Sequence, residues 1–308
     1  MLINNKLLYE KAHLIQIGKP NDSLYYFFDY DERYYDINME FQHFHNFYEI
    51  HILLDNDASH IIEGRLYRID FFDIVCLKPY SLHKSVYPKG PAKKRLIIQF
   101  NIPVHTGLLQ NEINEALTIF NAPLPIYRFE QQLQDVFINI LNGIYQISKT
   151  KSPIEILSIH GRFLCFLSAI YNNRRQNIYM PESLNPTVSK IYSIASYIHS
   201  HYDEELTLES LSRKFYLSSF YLSHLFKDIT GFTLIHYIQM TRIRNAQQLL
   251  LFTDKKITDI AEECGFTSFS QFNRVFNKFC GTSPSKYKKQ SGILYPESDT
   301  IPITYTRD

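Results

Sequence analysis

The chain has 308 residues, 45% of them apolar, and a formal net charge of +1, so it can bury two separate cores and is not a mostly disordered polymer. Its four cysteines, Cys76, Cys165, Cys264 and Cys280, are scattered without a C-x-x-C pair, which argues against a zinc ribbon or a disulfide framework. Charge is uneven: residues 188–290 carry 13 basic and 9 acidic side chains, a net of +4, against −1 for residues 1–187 and −2 for residues 291–308. Such an excess does not by itself identify a nucleic-acid binder.

The N-terminal stretch MLINNKLLYEKAHLIQ has no basic region leading into an apolar run and a small-residue cleavage site. The most apolar segment, FLCFLSAIY (163–171), falls short of the ~20 residues that span a bilayer. The expectation is a cytoplasmic protein without a membrane partner.

Residues 23 to about 105 alternate short Tyr-, Phe-, Ile- and Leu-rich runs (LYYFFDY, FYEIHILL, DIVCL, RLIIQF) with turn clusters (DNDAS, EGR, YPKGP). Several short strands at this spacing predict a barrel or a double-sheet jelly roll. Within them FQHFHNFYEI (41–50) places His43 and His45 on one strand face, with Glu49 four residues on. Two imidazoles and a carboxylate are a ligand set for zinc or non-haem iron, and equally a hydrogen-bonding set for a polar organic molecule. His51, His60 and His105 lack a partner at suitable spacing and are assigned surface or packing roles.

Helical spacing then takes over. Leu133, Phe137, Ile140, Leu141 and Ile144 mark one helix over 128–148, and a second runs from Pro153 to about Tyr171. Their apolar faces pack on the strands or form a dimer interface, and both uses are compatible. NNRRQNIYMPESLNP (172–186) is polar and holds two prolines; residues 172–187 are read as a linker between domain 1–171 and domain 188–290. Residues 291–308 read as an extended tail.

Two segments of the last third resemble each other, LTLESLSRKFYLSSFYLSHLFKDITGFTLIHYI (206–238) and KITDIAEECGFTSFSQFNRVFNKFCGTSPSKYK (256–288). Thr207 and Ser218 are placed to cap successive helices in the first, Thr258 and Ser268 in the second, with Gly265 in the turn and Gly231 and Gly281 at helix ends. Each is a helix, a tight turn and a second helix, the arrangement that puts its second helix into a major groove. Between them LIHYIQMTRIRNAQQLL (234–250) is one amphipathic helix of about 25 Å, a rod able to hold two such helices near one DNA turn apart, ~34 Å.

This part of the chain resembles the AraC/XylS family of bacterial transcription regulators. The matching residues are Ser218, Tyr221-Leu222-Ser223, Phe226-Lys227 and Gly231, then Arg242-Ile243, Ala246 and Leu249-Leu250, then Ile260-Ala261, Gly265-Phe266, Phe272, Arg274, Phe276, Gly281, Ser283-Pro284 and Tyr287. The resemblance implies double-stranded DNA as partner, RNA polymerase as a second partner of an activator, and no catalysis. Candidate readers are Ser219, Phe220, Ser223 and His224 in the first motif, and Thr267, Phe269, Ser270, Gln271, Asn273 and Arg274 in the second. Arginine binds guanine bidentately, glutamine or asparagine pairs with adenine, and phenylalanine touches a thymine methyl. Lys227 and Lys278, lower on their helices, are placed for phosphate contact. His224 stands where the family usually has arginine, which weakens base readout by the first motif.

The N-terminal half resembles the cupin-type sensing domain of this family. His43-x-His45-x-x-x-Glu49 matches the first cupin motif and PYSLH (79–83) the second, whose histidine here is His83; Phe72 replaces a customary turn glycine. The implied fold class is α+β: a cupin-like β-barrel or jelly roll with dimerisation helices, followed by an all-α domain with two helix-turn-helix motifs. The implied effector residues are His43, His45, Glu49, Tyr67, Tyr80 and His83, with Tyr48 as a further stacking candidate, and the effector is a small molecule such as a carbohydrate. No cofactor is expected. A metal on His43, His45, Glu49 and His83 is the alternative, as a metal-dependent sensor or enzyme. The expected assembly is a homodimer through the N-terminal half.

Overall fold

A computed structural model describes residues 6–11, 13–20, 22–33, 44–105, 107–181 and 185–290. His43, residues 182–184 of the expected linker and the expected tail 291–308 lie outside the described residues.

The N-terminal region is built from β1 (Ile15–Ile17), β2 (Tyr25–Arg33), β3 (Tyr48–Leu53), β4 (Ala58–Ile62), β5 (Arg65–Ile69), β6 (Ile74–Leu77), β7 (His83–Val86), β8 (Lys93–Asn101) and β9 (Ile126–Tyr127). They form two antiparallel sheets, ordered β1-β2-β8-β3-β6-β9 and β5-β4-β7. The sheets face each other, and the ring of His51 on β3 meets that of His60 on β4, centroids 4.4 Å apart.

Strand alternation decides what each face does. Ile50 and Ile52 of β3 join Tyr26, Phe28, Ile98 and Phe100 on the outer face of the larger sheet. That face is covered by α2 (Gln131–Ile147) and α3 (Glu155–Asn173), which follow the short helix α1 (Gly107–Ala116). Phe163 of α3, fully buried, stands edge-on to Tyr26 and Phe100 at 4.9 and 4.6 Å. Truncating a ring in such a place costs about 3–5 kcal/mol. Glu49, His51 and Leu53 alternate with these residues and turn inward.

Residues 106–127, where no element is expected, hold α1, a 3₁₀ turn over Leu117–Asn121 and β9. The expected linker is partly fixed: Asn177 Nδ2 donates to the Ile126 carbonyl, and the Tyr179 hydroxyl donates to the Arg68 carbonyl. Arg128, held by Asp73 through Nε and Nη2 at 2.7 and 2.6 Å, lies over the Tyr179 ring. Phe72, where a turn glycine was expected, adopts φ 60° with its ring buried, so packing offsets the backbone strain.

The C-terminal region is helical: α4 (Pro186–Ser200), α5 (Leu208–Lys214), α6 (Ser219–Thr230), α7 (Leu234–Phe252), α8 (Ile257–Glu263), α9 (Phe269–Cys280) and α10 (Pro284–Gln290). Asn185, Thr207, Ser218, Thr233 and Ser268 each accept a backbone N–H at a helix start. Gly231 and Gly281, at φ 84° and 64°, end α6 and α9 in the left-handed conformation. The cap expected at Thr258 is absent: α8 begins two residues earlier than that cap would place it, with Lys256 at the N-cap and no capping side chain. Leu82, from the loop before β7, is buried in the same core as Ile191, Ile194, Tyr237 and Met240, joining the two regions.

Candidate effector site and nucleic-acid interface

β3 and β7 bring Glu49 and His83 together between the sheets, and His45 reaches them from the loop before β3. His45 Nε2 lies 3.2 Å from Glu49 Oε2, and His83 Nε2 lies 3.8 Å from Oε1. All three residues are buried. His45 Nδ1 faces the Phe47 carbonyl at 2.9 Å and His83 Nδ1 the Ser81 carbonyl at 2.8 Å. A carbonyl oxygen only accepts, so each Nδ1 carries the hydrogen and, in the neutral ring, each Nε2 presents a lone pair towards a carboxylate. Burial pushes the His83 imidazole down to about 4, although Glu49 pulls the other way. Glu49 Oε2 also accepts from Gln99 Nε2 at 3.1 Å, so the carboxylate is shared between the two imidazoles and an amide.

Two histidines assigned surface or packing roles lie beside this cluster. His51 and His60 are fully buried, and burial, the first cause, holds His51 at about 3 and His60 far below its ordinary value, so both are neutral. His51 Nε2 is 3.2 Å from the Tyr87 hydroxyl, which accepts from Arg95, and His60 Nε2 is 3.1 Å from Ser85 Oγ. Among the described residues His51 Nδ1, His60 Nδ1 and Arg95 Nε have no hydrogen-bond partner. His51 was legible in principle, because it stands two residues from Glu49 on the same strand face. His60 and Arg95 come from other strands, and only the pairing of the sheets places them there.

The candidate tyrosines lie elsewhere. Tyr67 and Tyr80 line a cavity of about 460 Å³ between the strands and the C-terminal helices, together with Glu63, Arg65, His199 and Arg244. Tyr48 points to the opposite face, stacked on Phe100 at 5.3 Å beneath the helices, so it is not available to a ligand between the sheets. The cavity wall holds a clasp. Glu63, in the β4–β5 turn at φ 47°, accepts at Oε1 from Ser81 Oγ and the Leu82 N–H. Its Oε2 accepts from Arg244 Nη1 at 2.6 Å and lies 3.0 Å from His199 Nδ1, groups on α7 and α4. Burial acts to raise this carboxyl, but Arg244 and His199 outweigh it and hold it at about 2. Next to it Gly64 (φ 73°) sits so close to α4 that an added Cβ would meet that of Ala195 at 2.6 Å.

In the helical region α5–α6 and α8–α9 are two helix pairs on either side of α7. Leu222, Phe226, Phe272, Val275 and Phe276 face the core. Phe220, Ser223, His224 and Lys227 of α6 are exposed, as are Phe269, Ser270, Arg274 and Lys278 of α9 and Thr267 before it. Gln271 and Asn273 are half-buried, and Gln271 accepts from Thr267 Oγ1. Ser219 is turned towards α5, its hydroxyl 2.9 Å from that of Ser212. The Phe220 and His224 rings touch, centroids 4.5 Å apart.

A helix-turn-helix domain profile matches residues 211–290. Over 110 residues the chain is 37% identical to the uncharacterized HTH-type transcriptional regulator YijO of Escherichia coli K12, covering 36% of this chain and 39% of that protein. It thus spans about two fifths of that relative. It is 24% identical over 266 residues to the melibiose operon regulatory protein of Escherichia coli K12, covering 82% of this chain and 85% of that protein. To the HTH-type transcriptional activator RhaS of Enterobacter sp. strain 638 it is 22% identical over 254 residues, covering 80% and 87%. The profile makes residues 211–290 a helix-turn-helix region, and the relatives that share it are transcription regulators. In this region, and more distantly over most of its length, the chain is similar to regulators of the AraC/XylS family.

Among the described residues no helix is long and apolar enough to cross a membrane.

Proposed function

We propose that this regulator activates transcription in the cytoplasm when a small polar effector, a carbohydrate, occupies a cupin-type barrel formed by residues 1–171. The segment 172–187 links that barrel to a double helix-turn-helix reader, 188–290, followed by the tail 291–308. The observation that carries the reading is the inward-facing polar set His45, Glu49, His51, His60, His83 and Arg95, in which His51 Nδ1, His60 Nδ1 and Arg95 Nε lack a partner among the described residues. Hydroxyl groups serve both as partners of the imidazole Nδ1 atoms of His51 and His60 and as acceptors from the Arg95 guanidinium, so a polyol fits this lining. Tyr67 and Tyr80 extend the site into the adjoining cavity, whose size suits a monosaccharide. The melibiose operon regulatory protein supports a sugar, and the activator named above supports the sign of regulation.

Effector binding shifts the population of chain arrangements that set both readers on successive major grooves. A second copy docks on α2 and α3. The outer side of α3 exposes Ile154, Ile156 and Leu157, and α2 exposes Val136, leaving apolar surface that the sheet does not cover. A thermal-shift screen of sugars on the purified chain tests the reading, followed by DNA titration with and without the best stabiliser. A sugar that raises the melting temperature and changes DNA affinity supports it; a panel without any stabiliser sinks the sugar assignment.

One observation favours a second reading. The ligating atoms of His45, Glu49 and His83 lie within 4.8 Å of one another, and both histidines have Nδ1 anchored on backbone carbonyls, which fixes Nε2 for a cation. A divalent metal would take the Nε2 atoms and the Glu49 carboxylate as ligands and make the barrel a metal-dependent sensor. Elemental analysis of the untagged protein decides: stoichiometric metal that is lost in His83→Ala supports this reading, and metal-free protein removes it.

A further inference from the structure

Among the described residues three aromatic ones adopt positive φ: Phe72 at 60°, Tyr80 at 63° and Tyr216 at 55°. Bulky L side chains are disfavoured there, because Cβ crowds the neighbouring carbonyl. Phe72 and Tyr80 bury their rings, at 1% and 6% exposure, so packing compensates the strain. Tyr216 is 90% exposed, and among the described residues its side chain makes no hydrogen bond, ring contact or ion pair. Nothing within the fold rewards a tyrosine at this position.

The second helix pair shows what the turn itself requires. After α5 the Tyr216 N–H donates to the Arg213 carbonyl and the Leu217 N–H to the Ser212 carbonyl; after α8 the Gly265 N–H donates to Glu262 and the Phe266 N–H to Ala261. The two turns have the same hydrogen-bond pattern, and the second uses glycine at φ 77°. Gly265 is walled in, since an added Cβ would meet the Tyr202 carbonyl oxygen at 2.7 Å. The first turn instead projects a ring into solvent two residues before Ser218, the cap of α6. Phe220, four residues on, is exposed as well and belongs to the reading face.

A strained, unpacked residue at the mouth of a reader points to a role outside the fold. We propose that Tyr216 is a DNA-contact residue of the first motif, its ring against the sugar–phosphate backbone beside the groove that α6 enters and its hydroxyl donating to a phosphate oxygen. The contact is neutral and independent of sequence, so it positions α6 rather than reads bases. It also supplies affinity to the motif in which histidine replaces the usual arginine at position 224.

The test uses the full chain and the duplex that the wild-type protein selects from a random-sequence library, titrated at fixed salt. Tyr216→Gly relieves the strain and removes the contact. It is expected to melt no lower than wild type and to bind that duplex about 3- to 20-fold more weakly, with an unchanged salt slope because no cation is lost. Tyr216→Phe, which keeps the ring, is expected to lose a smaller part of the affinity. Wild-type affinity in Tyr216→Gly overturns the proposal, including the case where binding is intact and only transcription falls, which would assign the ring to RNA polymerase. A lowered melting temperature in Tyr216→Gly also overturns it, because the ring would then be part of the fold.

Discussion

Replacing Glu63 with glutamine removes one charge from the clasp between the β4–β5 turn and helices α4 and α7 while keeping its shape. The wild-type carboxyl is held at about 2 against an ordinary 4.5, a difference corresponding to roughly 3 kcal/mol in favour of the ionised, docked form. Since 32% of the Glu63 side-chain surface remains open, solvent screening reduces this to about 1–2 kcal/mol. A carboxyl whose pKa is lowered by folding stabilises fully above its unfolded value. Its contribution is present above pH 4.5 and is lost as pH falls towards 2. Urea unfolding at pH 7.5 should therefore show Glu63→Gln less stable by about 1–2 kcal/mol, with the difference shrinking below pH 4.5. A double-mutant cycle with Arg244→Met isolates the pair, for which we expect a coupling of about 1 kcal/mol. Equal stability of wild type and Glu63→Gln at pH 7.5, with zero coupling to Arg244, would refute the claim that this ion pair docks the two regions.

Acid should act at the same place through His199. Burial holds its imidazole at about 4, below the ordinary 6.5, so the fold prefers the neutral ring and stability falls as pH drops from 6.5 towards 4; unfolding of His199→Gln should lack that slope. Arg274→Ala on α9 should lose about 1–3 kcal/mol of specific binding in a titration at fixed salt, whereas Lys278→Ala should weaken binding to all sequences alike and flatten the salt slope by about one ion. Leu157→Glu, on the exposed side of α3, should shift the chain towards monomer in analytical ultracentrifugation without lowering its melting temperature; a dimer of unchanged strength would move the interface elsewhere. Phe163→Ala should lower stability by about 3–5 kcal/mol, because the cavity opens between α3 and the sheet.

The reader half was legible because its information is local. Caps at Thr207, Ser218 and Ser268, glycines at 231, 265 and 281, and apolar spacing along α6 and α9 act within a few residues, so helix boundaries followed from chemistry adjacent in the chain. The one misplaced cap, Thr258, shows the limit: Lys256 begins α8 without any side-chain signal. In the strand half, alternation correctly aimed Glu49 inward. It could not say which histidines of other strands would meet it, since His51–His60, His83–Glu49 and Arg95–Tyr87 are contacts across strands or between sheets. The Glu63–Arg244 clasp joins residues 181 positions apart, and a surface turn offers no sequence signal that a guanidinium will arrive there. By itself the sequence determined the helix pairs and the inward carboxylate, because these depend on period and spacing. Only the tertiary structure decided the polar interior, the turning of Tyr48 to the wrong face and the docking of the two regions, because each depends on which surfaces the chain buries against one another.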